Sequence, residues 1–296
     1  MDQARDGRPE ASGLAGCYRH PDRETGVRCT RCERPICPQC MVSASVGFQC
    51  PECVSNGSGT GHAPDANQPR TIAGGSVAKD PQLVTKILLG IIAVAFIAQQ
   101  TIDGFTDRFE LIGRALYPAI SWTDLQGVAE GQWYRLLTSM FLHGSIIHIL
   151  SNGLSLWWIG GPLEAALGRA RYLALYFVSG LAGSALTYLL ADPRQGSLGA
   201  SGAIFGIFGA MAVLMRRQRY DMRPMIAILV INLIITFGWS GIAWQAHVGG
   251  LVAGAVIGAA MVYAPRERRT LIQYGTCALV LAAVVIVTLV RTSQLT

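Results

Sequence analysis

Apolar residues in this chain come in long blocks rather than in short alternations. The blocks begin after Pro81 and lie at about 83–101, 146–163, 171–191, 201–216, 224–240, 243–262 and 272–291. Each approaches the roughly 20 residues that a helix needs to cross about 30 Å of hydrocarbon. They predict seven membrane-spanning helices, the fifth and sixth joined by a very short Gly/Trp turn. Between the first two lies a semi-polar insert, residues 102–145, which carries Pro118, Trp122 and Trp133 and predicts an interfacial or partly embedded loop. Ahead of the blocks, Val54 to about Asp80 is rich in Gly, Ser, Pro and Asn without an apolar period, and predicts a flexible linker in which His62 is a solvated loop residue.

Composition agrees with this pattern. A chain of 296 residues could hold two soluble domains, but 51% hydrophobic and 14% charged residues with a mean hydropathy of +0.37 do not fit them. The formal charge is +6. Residues 1–82 hold nine Lys/Arg against nine Asp/Glu, and residues 83–296 hold fifteen against nine, so the excess belongs to the apolar part. A nucleic-acid module would place it on a polar folded segment, and no nucleic acid is expected as a partner.

The basic residues also set an orientation. Arg169 and Arg171 lie between blocks two and three, Arg216, Arg217, Arg219 and Arg223 between four and five, and Arg266, Arg268 and Arg269 after six. With seven spans these nine arginines share one side, which the positive-inside rule makes cytoplasmic. The N-terminus falls on that side. Asp103, Asp107, Glu110, Asp124 and Glu130 fall on the other, with Arg108, Arg114, Arg135 and Arg194. The C-terminus ends outside. The expected location is the plasma membrane of a bacterium.

Seven of the eight cysteines lie between Cys17 and Cys53. They fall in four pairs of x2 spacing: Cys17 and His20, Cys29 and Cys32, Cys37 and Cys40, Cys50 and Cys53. One tight turn can offer two ligands, and zinc takes four thiolates or imidazoles in a tetrahedron, so eight ligands predict two structural zinc ions. A disulfide framework fits less well: seven thiols cannot all pair, His20 stands where an eighth would be, and the polar start shows no signal peptide. The segment resembles the B-box type of zinc finger. That resemblance implies interleaved sites, one of Cys17, His20, Cys37 and Cys40 and one of Cys29, Cys32, Cys50 and Cys53; sequential pairing stays open. With closed sites the segment reads as a binding or regulatory module, with room for a cytoplasmic protein partner.

Ionisable and polar side chains inside spans are expensive and therefore functional candidates. His148 and Asn152 are four apart in block two. Ser201 opens block four within Gly199-Ala200-Ser201-Gly202, and His247 lies near the start of block six. All three blocks start from the outer side, which puts these groups roughly 5–10 Å below that face at about 1.5 Å per residue. A serine becomes nucleophilic when a base takes its proton, and imidazole is the usual base. Small-residue stripes, Gly202-x3-Gly206 and Gly250-x3-Gly254-x3-Gly258, would let the two helices approach. No Asp or Glu lies between Ser201 and Met215 or between Met225 and Tyr263, so the pattern is a dyad, Ser201 with His247, and not a triad. Asn152, His148 and the Ser201 amide are candidates for oxyanion stabilisation. A metal site of His143, His148 and His247 lacks a neighbouring carboxylate and the usual spacing, and no cofactor is expected for catalysis.

At these residues the chain resembles the rhomboid intramembrane serine proteases. The resemblance covers about residues 83–265 and rests on Trp133-Tyr134-Arg135, His143-x4-His148-x3-Asn152, Glu164-x3-Gly168, Gly199-x-Ser201-Gly202 and Ala246-His247-x2-Gly250-x3-Gly254. It implies a six-helix core with Ser201 as nucleophile, His247 as base, His148 and Asn152 around the oxyanion, Phe205 against the base and Arg135 stabilising a loop, a headgroup contact for Arg135 being equally open from sequence. The expected fold is an all-α polytopic membrane protein: a zinc-binding domain (1–55), a linker (56–82), the six-helix core (83–265) and a seventh transmembrane helix (266–296). The expected activity is hydrolysis of peptide bonds in or beside transmembrane segments of other proteins, in the lipid bilayer near the outer leaflet, through an acyl-enzyme. A non-proteolytic adaptor that presents transmembrane clients through its zinc domain is the alternative; a transporter would show paired carboxylates or inverted repeats.

Overall fold

A computed structural model describes residues 14–44, 46–56, 70–117, 121–239 and 241–296, in two compact units, Met1–Pro69 and Arg70–Thr296. Residues 57–69 of the expected linker, with His62, and Pro118 lie outside the described residues.

The first unit has little regular structure. Strands β1 (Val42–Ser43) and β2 (Phe48–Gln49) pair antiparallel with Val42 opposite Gln49, and a short helix α1 (Pro51–Ser55) follows. Its core is made almost entirely of sulfur: Cys17, Cys29, Cys37, Cys40, Cys50 and Cys53 are buried together with Ile36. So small an apolar core cannot offset the entropy of ordering the chain, and a unit of this kind needs a staple.

The second unit is helical. After α2 (Leu83–Thr101), the insert forms α3 (Phe105–Phe109), an antiparallel hairpin of β3 (Ala115–Tyr117) and β4 (Ser121–Gln126), and α4 (Arg135–Thr138). Then come α5 (Ile146–Ser155), α6 (Gly161–Leu167), α7 (Arg169–Leu190), α8 (Ser201–Gln218), α9 (Arg223–Gly238), α10 (Trp244–Tyr263) and α11 (Arg269–Leu295). A turn of π-helix, Leu156–Gly160, joins α5 to α6. Among the described residues four helical segments are long and apolar enough to cross a membrane: α2, α7, α10 and Arg266–Leu295, which contains α11. The expected spans 201–216 and 224–240 correspond to α8, whose last turn carries Arg216 and Arg217, and to the shorter α9.

Glycine sets the centre of this unit. A Cβ on Gly250, Gly254 or Gly258 of α10 would overlap the backbone of Gly202, Gly206 or Ala210 of α8, and one on Gly249 would meet the Ala182 carbonyl of α7 at 2.9 Å. Backbone therefore lies on backbone along two sides of α10, which is how small residues replace the hydrophobic drive that lipid removes.

Hydrogen bonds sort the helix ends. Gln273 at the start of α11 donates to the carbonyls of Met261 at the end of α10 (2.8 Å) and Ala73 (3.0 Å), and accepts from Arg171 Nε of α7 (2.7 Å). Arg217 of α8 lies 5.0 Å from the centroid of the Tyr263 ring of α10. The arginine-bearing connections thus gather at one end. At the opposite end the Tyr188 hydroxyl of α7 meets the Thr292 hydroxyl at 2.9 Å, and Arg114 bonds to the Leu295 carbonyl.

Two further features depart from or extend the sequence reading. Residues 70–82, expected as linker, fold onto the helical unit: the Ala73 amide donates to Ala166 O (3.4 Å), Thr71 Oγ1 to Leu167 O (3.2 Å), and Ala73 is buried. The expected boundary near 82 therefore moves to about 70, because these backbone groups find partners in the α6–α7 corner. Glu164 of α6 is buried and accepts from the Val84 amide (3.0 Å), the Thr85 amide (2.9 Å) and the Thr85 hydroxyl (2.9 Å). A carboxylate from another helix thus caps the first turn of α2.

Candidate active site

Ser201 is the first residue of α8, so its backbone amide belongs to the turn that has no intrahelical acceptor. His247 lies in the first turn of α10. The glycine contacts between these helices bring Ser201 Oγ to 2.7 Å from His247 Nε2. Phe205, one turn beyond the serine, stacks on the imidazole with centroids 4.2 Å apart and planes 9° apart, which fixes the ring plane. On its far side His247 Nδ1 lies 2.7 Å from Thr236 Oγ1 of α9.

The oxyanion candidates come from α5. Ser145 caps that helix by accepting from the His148 amide (3.2 Å), which holds His148 in the first turn. The Gly144 amide donates to His148 Nδ1 at 3.3 Å, so Nε2 carries the ring proton and is a donor. Gly199 has φ +136°, and a Cβ there would sit 2.9 Å from His148 Cε1 and Nε2 and 3.5 Å from Ser201 Oγ. Glycine is needed here for both reasons. Asn152 is buried, and its Nδ2 has no partner among the described residues. All of these groups line one cavity of about 680 Å³, which also reaches Trp239, just after α9.

Arg135 is fully buried rather than turned to a headgroup. It donates from Nη1 to the carbonyls of Asp107 and Glu110 (both 2.8 Å) and from Nε to Gln132 Oε1 (2.6 Å), tying α3 to the segment before α4. The structure does not assemble His143, His148 and His247 as ligands around one point: among the described residues the metal-ligating clusters lie only in the first unit. His143 is buried edge-on against His148 with centroids 4.9 Å apart.

Sequence reasoning passed over Thr236. The signal was present: residues 225–239 are apolar or glycine except for Asn232 and Thr236, which are four apart and so share a helix face.

In the first unit the ligand atoms of Cys17, His20, Cys37 and Cys40 lie within 4.8 Å of one another, as do those of Cys29, Cys32, Cys50 and Cys53. The pairs interleave. His20 Nδ1 is 3.4 Å from both Cys37 Sγ and Cys40 Sγ and 3.9 Å from Cys17 Sγ, and Cys32 Sγ is 3.7 Å from Cys50 Sγ. Ligand edges of about 3.5 Å for S to N and about 3.8 Å for S to S follow from tetrahedral zinc with Zn–N near 2.0 Å and Zn–S near 2.3 Å. Burial opposes ionisation of Cys17 and Cys29, but the backbone N–H groups of Cys37, Arg19 and His20, and of Cys32, Cys50 and Arg31, outweigh it and bring both thiols down to about 6. Burial and the neighbouring thiols push Cys40 up to about 11 and Cys53 up to about 12. Such a cage accepts some thiolates readily and the last one only with a cation at its centre, which fits a divalent metal.

Comparison with known proteins bears on the second unit. The family model of the Rhomboid domain matches residues 130–264. Rhomboid protease GluP of Bacillus subtilis is 37% identical over 139 residues, 45% of this chain and 27% of that protein. YdcA of the same organism, named with the rhomboid proteases, is 36% identical over 148 residues, 48% of this chain and 74% of that protein. Rhomboid protease AarA of Providencia stuartii is 31% identical over 182 residues, 52% of this chain and 63% of that protein. The matched stretch contains Ser201, His247, His148, Asn152, Phe205 and Arg135 and leaves out the cysteine unit, so it is through its helical unit that this chain belongs to the rhomboid family.

Proposed function

We propose that this protein is an intramembrane serine endopeptidase that cuts peptide bonds in or beside transmembrane segments of other membrane proteins. One observation carries the reading: a serine hydroxyl 2.7 Å from an imidazole nitrogen, inside a cavity at the end of the bundle opposite the arginine-bearing connections. With those arginines cytoplasmic and α2, α5–α6, α7, α8, α9, α10 and α11 spanning, the cavity lies at the outer leaflet of a bacterial plasma membrane and the N-terminal unit lies in the cytoplasm.

The chemistry follows from the donors present. His247 Nε2 takes the Ser201 proton as Oγ bonds to the substrate carbonyl carbon. The resulting oxyanion is met by His148 Nε2–H and Asn152 Nδ2, both held in place by α5 before substrate arrives. The intermediate collapses, the C–N bond breaks, and the leaving amine takes the proton from His247. Water then hydrolyses the Ser201 ester with the same base. Backbone amides within a stable helix are closed to attack, so cleaved segments should carry Gly, Ala or other helix-weakening residues.

Replacing Ser201 by Ala, and separately His247 by Ala, in the full chain in proteoliposomes should lower cleavage of a membrane-anchored reporter by at least about 10³-fold. Undiminished cleavage in both would sink the dyad. In the N-terminal unit the two clusters would each hold one structural zinc ion, which supplies folding free energy there and no step of the hydrolysis. Metal analysis of the full chain should give two zinc ions per molecule, and none would refute this.

A further inference from the structure

The base in a serine–imidazole pair works only as the tautomer whose Nε2 is bare, and in triads a carboxylate enforces it. No carboxylate lies in α8 or α10. We propose that Thr236 is the positioning residue that holds His247 in the tautomer protonated on Nδ1, a role that rests on the protease reading above.

A threonine hydroxyl has one proton and two lone pairs. Thr236 Oγ1 is 2.6 Å from the Asn232 carbonyl oxygen, the bond back to the preceding turn that helical threonines commonly make. A carbonyl can only accept, so the one proton is committed to that contact. What Thr236 then presents to His247 Nδ1 at 2.7 Å is a lone pair, and the contact is a hydrogen bond only when Nδ1 carries the proton. Nε2 is thereby left bare at 2.7 Å from Ser201 Oγ. The opposite tautomer would set two acceptors against each other at 2.6 Å or at 2.7 Å. Both partners are buried.

The choice of a hydroxyl suits the site. An ionised carboxylate at this depth would need its own partners, whereas a hydroxyl satisfied by its own helix costs little to bury. The two site histidines are then set as opposites by neutral groups. The Gly144 amide makes His148 a donor at Nε2, and the Thr236 lone pair makes His247 an acceptor at Nε2.

The test compares Thr236→Val, which is nearly isosteric and has no lone pair, with Thr236→Ser, in the full chain in proteoliposomes. Thr236→Val should lower kcat roughly 10- to 100-fold with KM within about twofold, and Thr236→Ser should stay within about threefold of wild type. Full kcat in Thr236→Val, or equal loss in both variants, overturns the proposal. Histidine-selective 15N spectra of the wild-type chain, with His247 assigned by its loss in His247→Ala, should show protonation at Nδ1. Protonation at Nε2 overturns the proposal even where Thr236→Val fails to fold. Ser201→Ala run alongside separates the two claims: cleavage by that variant defeats the protease reading, while its inactivity beside a fully active Thr236→Val defeats only the role of Thr236.

Discussion

The two helices beside the His247 imidazole, the proposed base, hold it by opposite means. Against α8, helix α10 lies glycine on backbone for three successive turns, and no substituent at Gly250, Gly254 or Gly258 fits without displacement. Against α9, the polar contact among the described residues is one hydrogen bond between Thr236 Oγ1 and His247 Nδ1, while Ile228, Ile231, Ile234 and Phe237 of that helix are exposed. The serine–base distance is therefore set by backbone shape, and the protonation pattern of the base by a single hydroxyl. A contact of the first kind fails when an atom is added; one of the second kind fails when an atom is removed.

Substitutions can sharpen this contrast. Gly254→Leu should have the largest effect: its side chain would enter the space of Gly206, costing about 3 kcal/mol or more and, through misplacement of about 1 Å at the dyad, roughly 10²-fold in cleavage. Thermal unfolding in detergent and the reporter assay would read both. Gly199→Ala should fold, yet lose roughly 10-fold in kcat, since the new methyl strains a positive φ and displaces the His148 ring. Phe205→Leu keeps an apolar side chain, somewhat smaller, and loses the stacked plane, which is expected to cost about 0.5–1.5 kcal/mol, or roughly 2- to 10-fold in kcat. Smallest of all, Ile234→Ala on the exposed face of α9 should change stability by less than about 0.5 kcal/mol and leave cleavage unaltered. A loss there comparable to Gly254→Leu would show that α9 is packed as tightly as α8.

Much of the site was legible because its signals are local. The x2 spacings of Cys29 with Cys32 and Cys50 with Cys53 declare a turn that offers two ligands, and Gly250-x3-Gly254 declares a face. Spacing could not decide which pairs share a cage; the fold of the first unit does, by interleaving them. Thr236 escaped because a threonine in an apolar helix is ordinarily satisfied by its own backbone, as this one is, and only the three-dimensional approach of His247 gives its lone pair a use. The turn at residues 70–76 escaped for a related reason. Its Gly-rich, polar sequence is that of a linker, and its partners, Ala166, Leu167 and Gln273, lie about 90 to 200 residues away along the chain.

The buried carboxylate of Glu164 carries a consequence for how the chain is assembled. Helix α2 is made first, but the acceptor for its Val84 and Thr85 amides belongs to α6, some 80 residues later in synthesis. Until α6 arrives those amides must stay with water or headgroups. The start of α2 is thus held at the surface as an open end, and its docking is timed by the segment that completes it.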